Sequence, residues 1–356
     1  MNVGLNISDA PGQLVDVTPG DVSYTSAILT ASVSKPGSRM GFEVKYVGPA
    51  RAYEDWTFVE GTLNGSTLTA NVSDLAPGAG YIYRLVIDDY TSPNELSLST
   101  LAYPQLPNAG FEEWQTSSAP YLIYGNGGTM FWDSGNHGSA TMSKNVTVPD
   151  ETIKHSGRYS IRLASQFVGI GALGKFAAGN VFIGEYLATD GTDGVLGWGR
   201  PFTSPVKPKA LKGYVKYNPV AITHNNGKQV PSDIAAEYAV GNMDKGVIYI
   251  ALLSKDAGDT YTLKNKEYSA PVLVITKAAD RKLFNPDASY VVAYGEKTFT
   301  EATAGDGMIE FEIPLQDVNA GDFEYIMVVA SASKGGDYFA GGNGSTMWLD
   351  DLELVY

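Results

Sequence analysis

The chain has 356 residues, 44% of them apolar, with no cysteine and a net charge of −14 from 25 Lys and Arg against 39 Asp and Glu. That length holds two domains with sizeable cores. The acidity argues against nucleic acid, whose phosphates require basic patches, and the absence of cysteine removes disulfides, thiolate catalysis and cysteine metal sites.

Counts of 40 Gly, 18 Pro and 22 Tyr suit a chain of many turns and polar-tipped aromatics, as in an all-β protein. No apolar run reaches the ~18 residues of a membrane helix. No basic segment followed by an apolar one opens the chain, so no signal peptide is visible. A mature chain from which a signal or lipid anchor was removed fits equally.

Residues 1–102 read as one unit. Ser26-Ala-Ile-Leu-Thr-Ala-Ser-Val33 and Gly41-Phe-Glu-Val-Lys-Tyr46 alternate between apolar and polar and are bounded by Pro, Gly and Ser, which predicts strands at short spacing. Leu75-Ala-Pro-Gly-Ala-Gly-Tyr-Ile-Tyr-Arg84 resembles the corner of fibronectin type III domains. There a tyrosine packs its ring on the core and bonds the backbone through its hydroxyl. Tyr81 takes that position, and Trp56 is the expected core anchor. The expectation is an immunoglobulin-like or fibronectin III-like β-sandwich.

Residues 103–106 form a linker, stiffened by the prolines of Tyr103-Pro-Gln-Leu-Pro-Asn108. Residues 107–356 show no second boundary and read as one larger β-sandwich jelly-roll. Strands are expected at Tyr159 to Leu163, Val247 to Leu253, Val272 to Ile275, Met308 to Ile313, Tyr325 to Ala330 and Trp348 to Val355. Long helical periodicity is missing.

Three separated pieces resemble carbohydrate-binding jelly-rolls: Asn108-Ala-Gly-Phe-Glu-Glu, His155-Ser-Gly-Arg-Tyr-Ser-Ile-Arg-Leu163 and Met347-Trp-Leu-Asp-Asp-Leu-Glu-Leu. Between them, as intervening loops, come Trp132-Asp-Ser-Gly-Asn136, Lys175-Phe-Ala-Ala-Gly-Asn-Val-Phe182, Gly199-Arg-Pro-Phe202 and Leu211-Lys-Gly-Tyr-Val-Lys-Tyr217. Tyr294-Gly-Glu-Lys-Thr-Phe299 and Gly335-Gly-Asp-Tyr-Phe339 complete the set. In this order they resemble the putative carbohydrate metabolism domain family of Bacteroidetes, whose members are typically exported and often preceded by an immunoglobulin-like domain. The resemblance implies a jelly-roll whose first and last strands lie together, with a sugar-sized pocket. It implies no settled reaction.

A saccharide site needs an aromatic face for the ring and fixed hydrogen bonders for its hydroxyls. The nominated residues are Trp132, Asn136, Lys175, Asn180, Arg200 and Asp337, five of them with a competing structural role and Lys175 as a further donor. Trp132 could be a core residue, Asn136 and Asn180 turn residues, Arg200 a salt-bridge partner and Asp337 a cap of its own loop. Glu112, Asp350 and Asp351 form a second constellation, in which Glu112 and Asp350 are the nominated metal ligands and Asp351 would face the other way. In the resembling jelly-rolls such acids help hold a structural Ca²⁺, a hard cation that takes several oxygens; the alternative is that they accept backbone or Arg hydrogen bonds. Strand alternation would put Trp348, Asp350, Leu352 and Leu354 on one face, with Asp350 toward the core.

Glycoside hydrolysis usually takes two carboxyl groups. Asp133, Glu185 and Asp337 are candidates, but no catalytic pair can be identified from sequence. Gly169-Ile-Gly-Ala-Leu-Gly174 fits a dinucleotide-binding pattern without its strand–turn–helix context and reads as a loop. Asp190-Gly-Thr-Asp-Gly194 lacks the spacing of a calcium loop and reads as a turn. The leading expectation is an exported carbohydrate-binding protein of a bacterial glycan-acquisition system, periplasmic or at the cell surface, that takes an oligosaccharide or polysaccharide and requires no cofactor. The alternatives are a glycoside hydrolase on the same fold and a structural surface or adhesin protein.

Overall fold

A computed structural model describes residues 10–48, 55–170, 174–225 and 229–356. The chain forms two compact units, Met1–Pro104 and Gln105–Tyr356. Residues 171–173 of the glycine run 169–174 lie outside the described residues.

In the first unit two antiparallel sheets face one another. One runs Gly12–Val15, Ala27–Val33, Thr67–Val72 and Thr62–Asn64; the other runs Thr57–Glu60, Met40–Val47 and Gly80–Ile87, the last also pairing with Tyr90–Thr91 and Leu96–Ser99. Strict alternation sends Ala27, Leu29, Ala31 and Val33 inward against Leu68, Ala70 and Val72. Tyr81 is buried in this core, and its hydroxyl accepts the backbone N–H of Ala76 at 2.8 Å. Trp56, expected in the core, is only half-buried: its ring lies under the guanidinium of Arg84, which also pairs with Glu43. Phe42 and Tyr83 hold the centre instead.

The second unit is a larger antiparallel sandwich. Its five-stranded sheet has the order Thr147–Asp150, Ser160–Ala164, Thr346–Val355, Ala210–Asn218 and Ile309–Pro314. The opposing nine-stranded sheet has the path Val272–Ile275, Asp193–Trp198, Asn180–Asp190, Tyr325–Ser331, Gly246–Leu253, Val291–Phe299 and Gln316–Asp317, with Trp132–Asp133 and Arg200–Pro201 joined off it. All six expected strands appear within two residues of their predicted ends. The segment read as an intervening loop at residues 211–217 is a strand as well, and residues 294–299 end another. Gly199, at a φ of +95°, breaks the chain between Trp198, which pairs with residue 184, and Arg200, which pairs with Ile326.

Strand Gly246–Leu253 explains its own composition. Ile248, Ile250 and Leu252 pack inward with Ile161, Leu163, Val215 and Leu349, whereas Ala251 and Leu253, with Tyr249 beside them, join a second cluster containing Phe182, Trp198 and Val329. A strand covered on both faces loses the alternation of a half-exposed one and reads as continuous apolar sequence.

The opening segment, residues 106–114, does lie against the closing strand, but not as a strand. Pro107, which has no N–H to give a ladder, and the positive φ of Asn108 (49°) and Phe111 (54°) keep it from pairing as a strand. Contact comes instead from the Gln105 side chain, which brackets the backbone of Leu354 with bonds of 3.0 and 2.7 Å, and from the bond of Leu352 N–H to Ala109. The closing strand also changes phase. Met347 and Leu349 face the core, and so do Leu352 and Leu354, because Asp351 takes a φ of +45° and the pairing with residues 212–214 slips there. Such a bulge reverses the faces beyond it. Asp350 is therefore buried away from the core, contrary to simple alternation.

Candidate functional site

The outer face of the nine-stranded sheet, turned away from the five-stranded partner, floors a cavity of about 570 Å³. That is within the usual range of small-molecule sites, about 300–1,000 Å³. Phe182, Trp198, Tyr249 and Tyr294 form a continuous aromatic floor with ring centroids 6.0–6.2 Å apart. Phe284 lies 6.0 Å from Tyr249 and within 3° of parallel to it. The walls come from Gly135, from residues within 138–142, 175–178, 283–286 and 334–339, and from Thr276, Ile234 and Tyr238.

Among the described residues, two carboxyl groups line this cavity. Glu296 sits directly opposite Tyr249 across the ladder. Its oxygens accept bonds from Lys334 Nζ at 2.6 Å, Tyr294 Oη at 2.7 Å and Thr298 Oγ1 at 2.9 Å. Burial alone would raise its pKa, but those three donors together hold it below the usual carboxylate range. Asp337 is placed by a short turn, Gly336–Tyr338, that follows Gly335. A side chain at Gly335 would come within 2.7 Å of the Tyr238 ring and 2.8 Å of a backbone oxygen, so only glycine lets this turn lie on Tyr238. The Asp337 carboxyl faces the cavity with no hydrogen bond or ion pair among the described residues. Desolvation pushes it up to about 6, against a smaller opposing pull from Arg281.

Of the residues nominated from sequence, Lys175, Asn180 and Asp337 line the cavity. Lys175 bonds Asp193 at 2.9 Å and Thr192 at 3.0 Å, and its ammonium sits 3.4 Å from the Phe339 ring centre. Asn180 accepts the N–H of Gly135 at 2.7 Å, which anchors the 135–142 wall to the sheet.

Trp132, Asn136 and Arg200 do not line it. Trp132 is 1% exposed, packs on Phe111 and Phe131, and donates to the Pro107 carbonyl at 2.7 Å, so it is a core residue. Asn136 is wholly buried; its amide bonds Thr147 N and O and Tyr121 O, splicing two backbone segments. Arg200 pairs with Glu185 and the Gly184 carbonyl beside a separate recess. Asp133 is also committed elsewhere, since it accepts bonds from Ser134 N, Tyr186 N and His137 Nε2. That last bond raises the pKa of His137.

Glu112 and Asp350 serve one loop. Glu112 accepts the backbone N–H groups of Arg158 and Tyr159, and Asp350 those of His155, Ser156 and Asp351 at 2.7–3.2 Å. Their oxygens are matched to amide hydrogens, and among the described residues no group of three or more His, Cys, Asp or Glu could hold a metal. The donor set therefore fits a latch on residues 155–159 rather than the six or more oxygens of Ca²⁺.

Sequence reasoning missed Glu296, Tyr249, Tyr294, Trp198 and Phe284. A single acid inside the apolar run Val291-Val-Ala-Tyr-Gly-Glu296 was the available signal for the first.

Two packed antiparallel sheets with an aromatic-floored cavity on one of them define a jelly-roll β-sandwich protein. Residues 110–355 match the family described as "Putative carbohydrate metabolism domain", and the chain belongs to that family. A crystal structure described as a putative glycoside hydrolase from Bacteroides thetaiotaomicron aligns over 98% of this chain and 97% of its own, at 17% identity and a TM-score of 0.50. Another so described, from Bacteroides vulgatus, aligns over 69% and 96% at 22% identity and a TM-score of 0.47. No protein of curated function matches the chain.

Proposed function

We propose that the second unit binds a neutral oligosaccharide or polysaccharide segment in this cavity, as an exported component of a bacterial glycan-acquisition system. The first unit then serves as a fibronectin-like spacer at the periplasmic face or cell surface. The observation that carries the reading is the aromatic floor flanked by polar groups of both kinds. Rings such as Tyr249 and Phe284 offer flat faces to the C–H side of a sugar, while Asn180, Glu296, Lys334 and Asp337 border the same space. Membership of a carbohydrate metabolism family supports the same ligand class.

The test is a glycan array followed by calorimetry on the full chain. The reading expects one glycan class to bind and Phe284→Ala to weaken that binding about tenfold or more, with little change in melting temperature. Failure of every glycan to bind would refute it.

A further inference from the structure

We infer that the cavity is also a reaction site for a glycosidic bond, in which Asp337 donates a proton to the leaving oxygen and Glu296 takes the proton of the attacking water. The inference rests on the proposal that a saccharide occupies this cavity.

The two carboxyl groups reach the cavity from different elements, a turn after strand Tyr325–Ser331 and the middle of strand Val291–Phe299. Both act electrostatically on the same phenol, that of Tyr249, which lies opposite Glu296 in the ladder. Their surroundings differ in the way that acid–base chemistry requires. Three donors keep Glu296 ionised, whereas Asp337 has aromatic neighbours and holds its proton up to about pH 6. Arg281, the cation that bears on Asp337, lies over the Tyr338 ring and is bonded to Gln229 and the Thr276 carbonyl, with no ion pair to the acid among the described residues. Lys175 and Lys334 face the cavity but are paired with Asp193 and Glu296. The phenols of Tyr238, Tyr249 and Tyr338 are all pushed upward, chiefly by burial. A further group awaits a ligand: Trp198 lines the cavity, is 3% exposed, and among the described residues has no partner for its indole N–H.

The step balances without a cofactor. The Asp337 proton passes to the glycosidic oxygen as the bond from that oxygen to the anomeric carbon breaks. A water oxygen bonds to the anomeric carbon and its proton passes to Glu296. Solvent then reprotonates Asp337 and deprotonates Glu296, leaving two products that divide one water between them.

The full chain would be incubated with α- and β-linked gluco-, galacto-, xylo- and manno-oligosaccharides, with reducing ends and calorimetric binding measured on the same panel. The expected result is release that declines above about pH 6 as Asp337 loses its proton. Asp337→Asn should slow it by about 100-fold or more, with affinity changed only a few-fold. On a 2,4-dinitrophenyl glycoside of the cleaved sugar, whose leaving group needs no proton, Asp337→Asn should keep most of its rate and Glu296→Gln should lose it. Binding without release at any pH from 4 to 8, or release indifferent to Asp337→Asn, would overturn the reaction and leave the binding site standing. Neither binding nor release would overturn both.

Discussion

The two faces of strand Gly246–Leu253 do different work with side chains one residue apart. Ile248, Ile250 and Leu252 are sealed against the opposing sheet, and every apolar atom there removed from water contributes to stability. Tyr249 looks the other way into a cavity whose floor is aromatic and whose acids include one without a partner among the described residues. A packed face tolerates no vacancy, whereas a binding face maintains one. The inner face therefore governs melting and the outer face governs ligand, and substitutions should separate the two.

The largest effect should come from the inner face. Ile250→Ala removes buried methyl groups where neighbours cannot collapse, at a cost of about 2–5 kcal/mol in denaturant unfolding. If the change proves nearly neutral, the inner face is less tightly packed than its contacts imply. Next comes the latch on residues 155–159. Asp350→Ala strands the N–H groups of His155, Ser156 and Asp351 and should destabilise by about 2–3 kcal/mol.

The outer face predicts the opposite sign. The folded state holds the Asp337 proton more tightly than the unfolded chain, whose carboxyl titrates near 3.8, so this group loses stability as pH rises from about 4 through 6. Asp337→Asn should accordingly raise stability at pH 7–8 by on the order of 1–3 kcal/mol and change little at pH 4. A variant that is destabilised at pH 7 would mean that the carboxylate has a partner in solution. The smallest effect concerns Glu112 and Asp350: a chelator should leave the melting temperature unchanged. A drop that Ca²⁺ restores would make these acids cation ligands after all.

Much of this division was legible in the sequence, and its gaps have physical causes. Alternation in Ala27–Val33 and the glycine-bounded Asp337 could be read directly, because period-two burial and a loop acid each leave a local mark. Trp132 and Asn136 could not be assigned a side, since an aromatic or amide next to glycine looks alike whether it turns inward or toward a cavity. Glu296 matters through its position opposite Tyr249, 47 residues earlier in the chain, and ladder register is not visible in either segment alone. Asp350 was misplaced because one residue, Asp351, adopts a left-handed backbone that reverses the alternation.

The claim that function resides on the outer face is tested most directly by titrating the best array glycan into three proteins: the parent chain, Phe284→Ala and Ile250→Val. The account predicts that Phe284→Ala loses about tenfold or more in affinity while melting with the parent, and that Ile250→Val melts earlier, by about 0.5–1.5 kcal/mol of stability, yet binds with the parent's affinity. Equal affinity in all three proteins would contradict it.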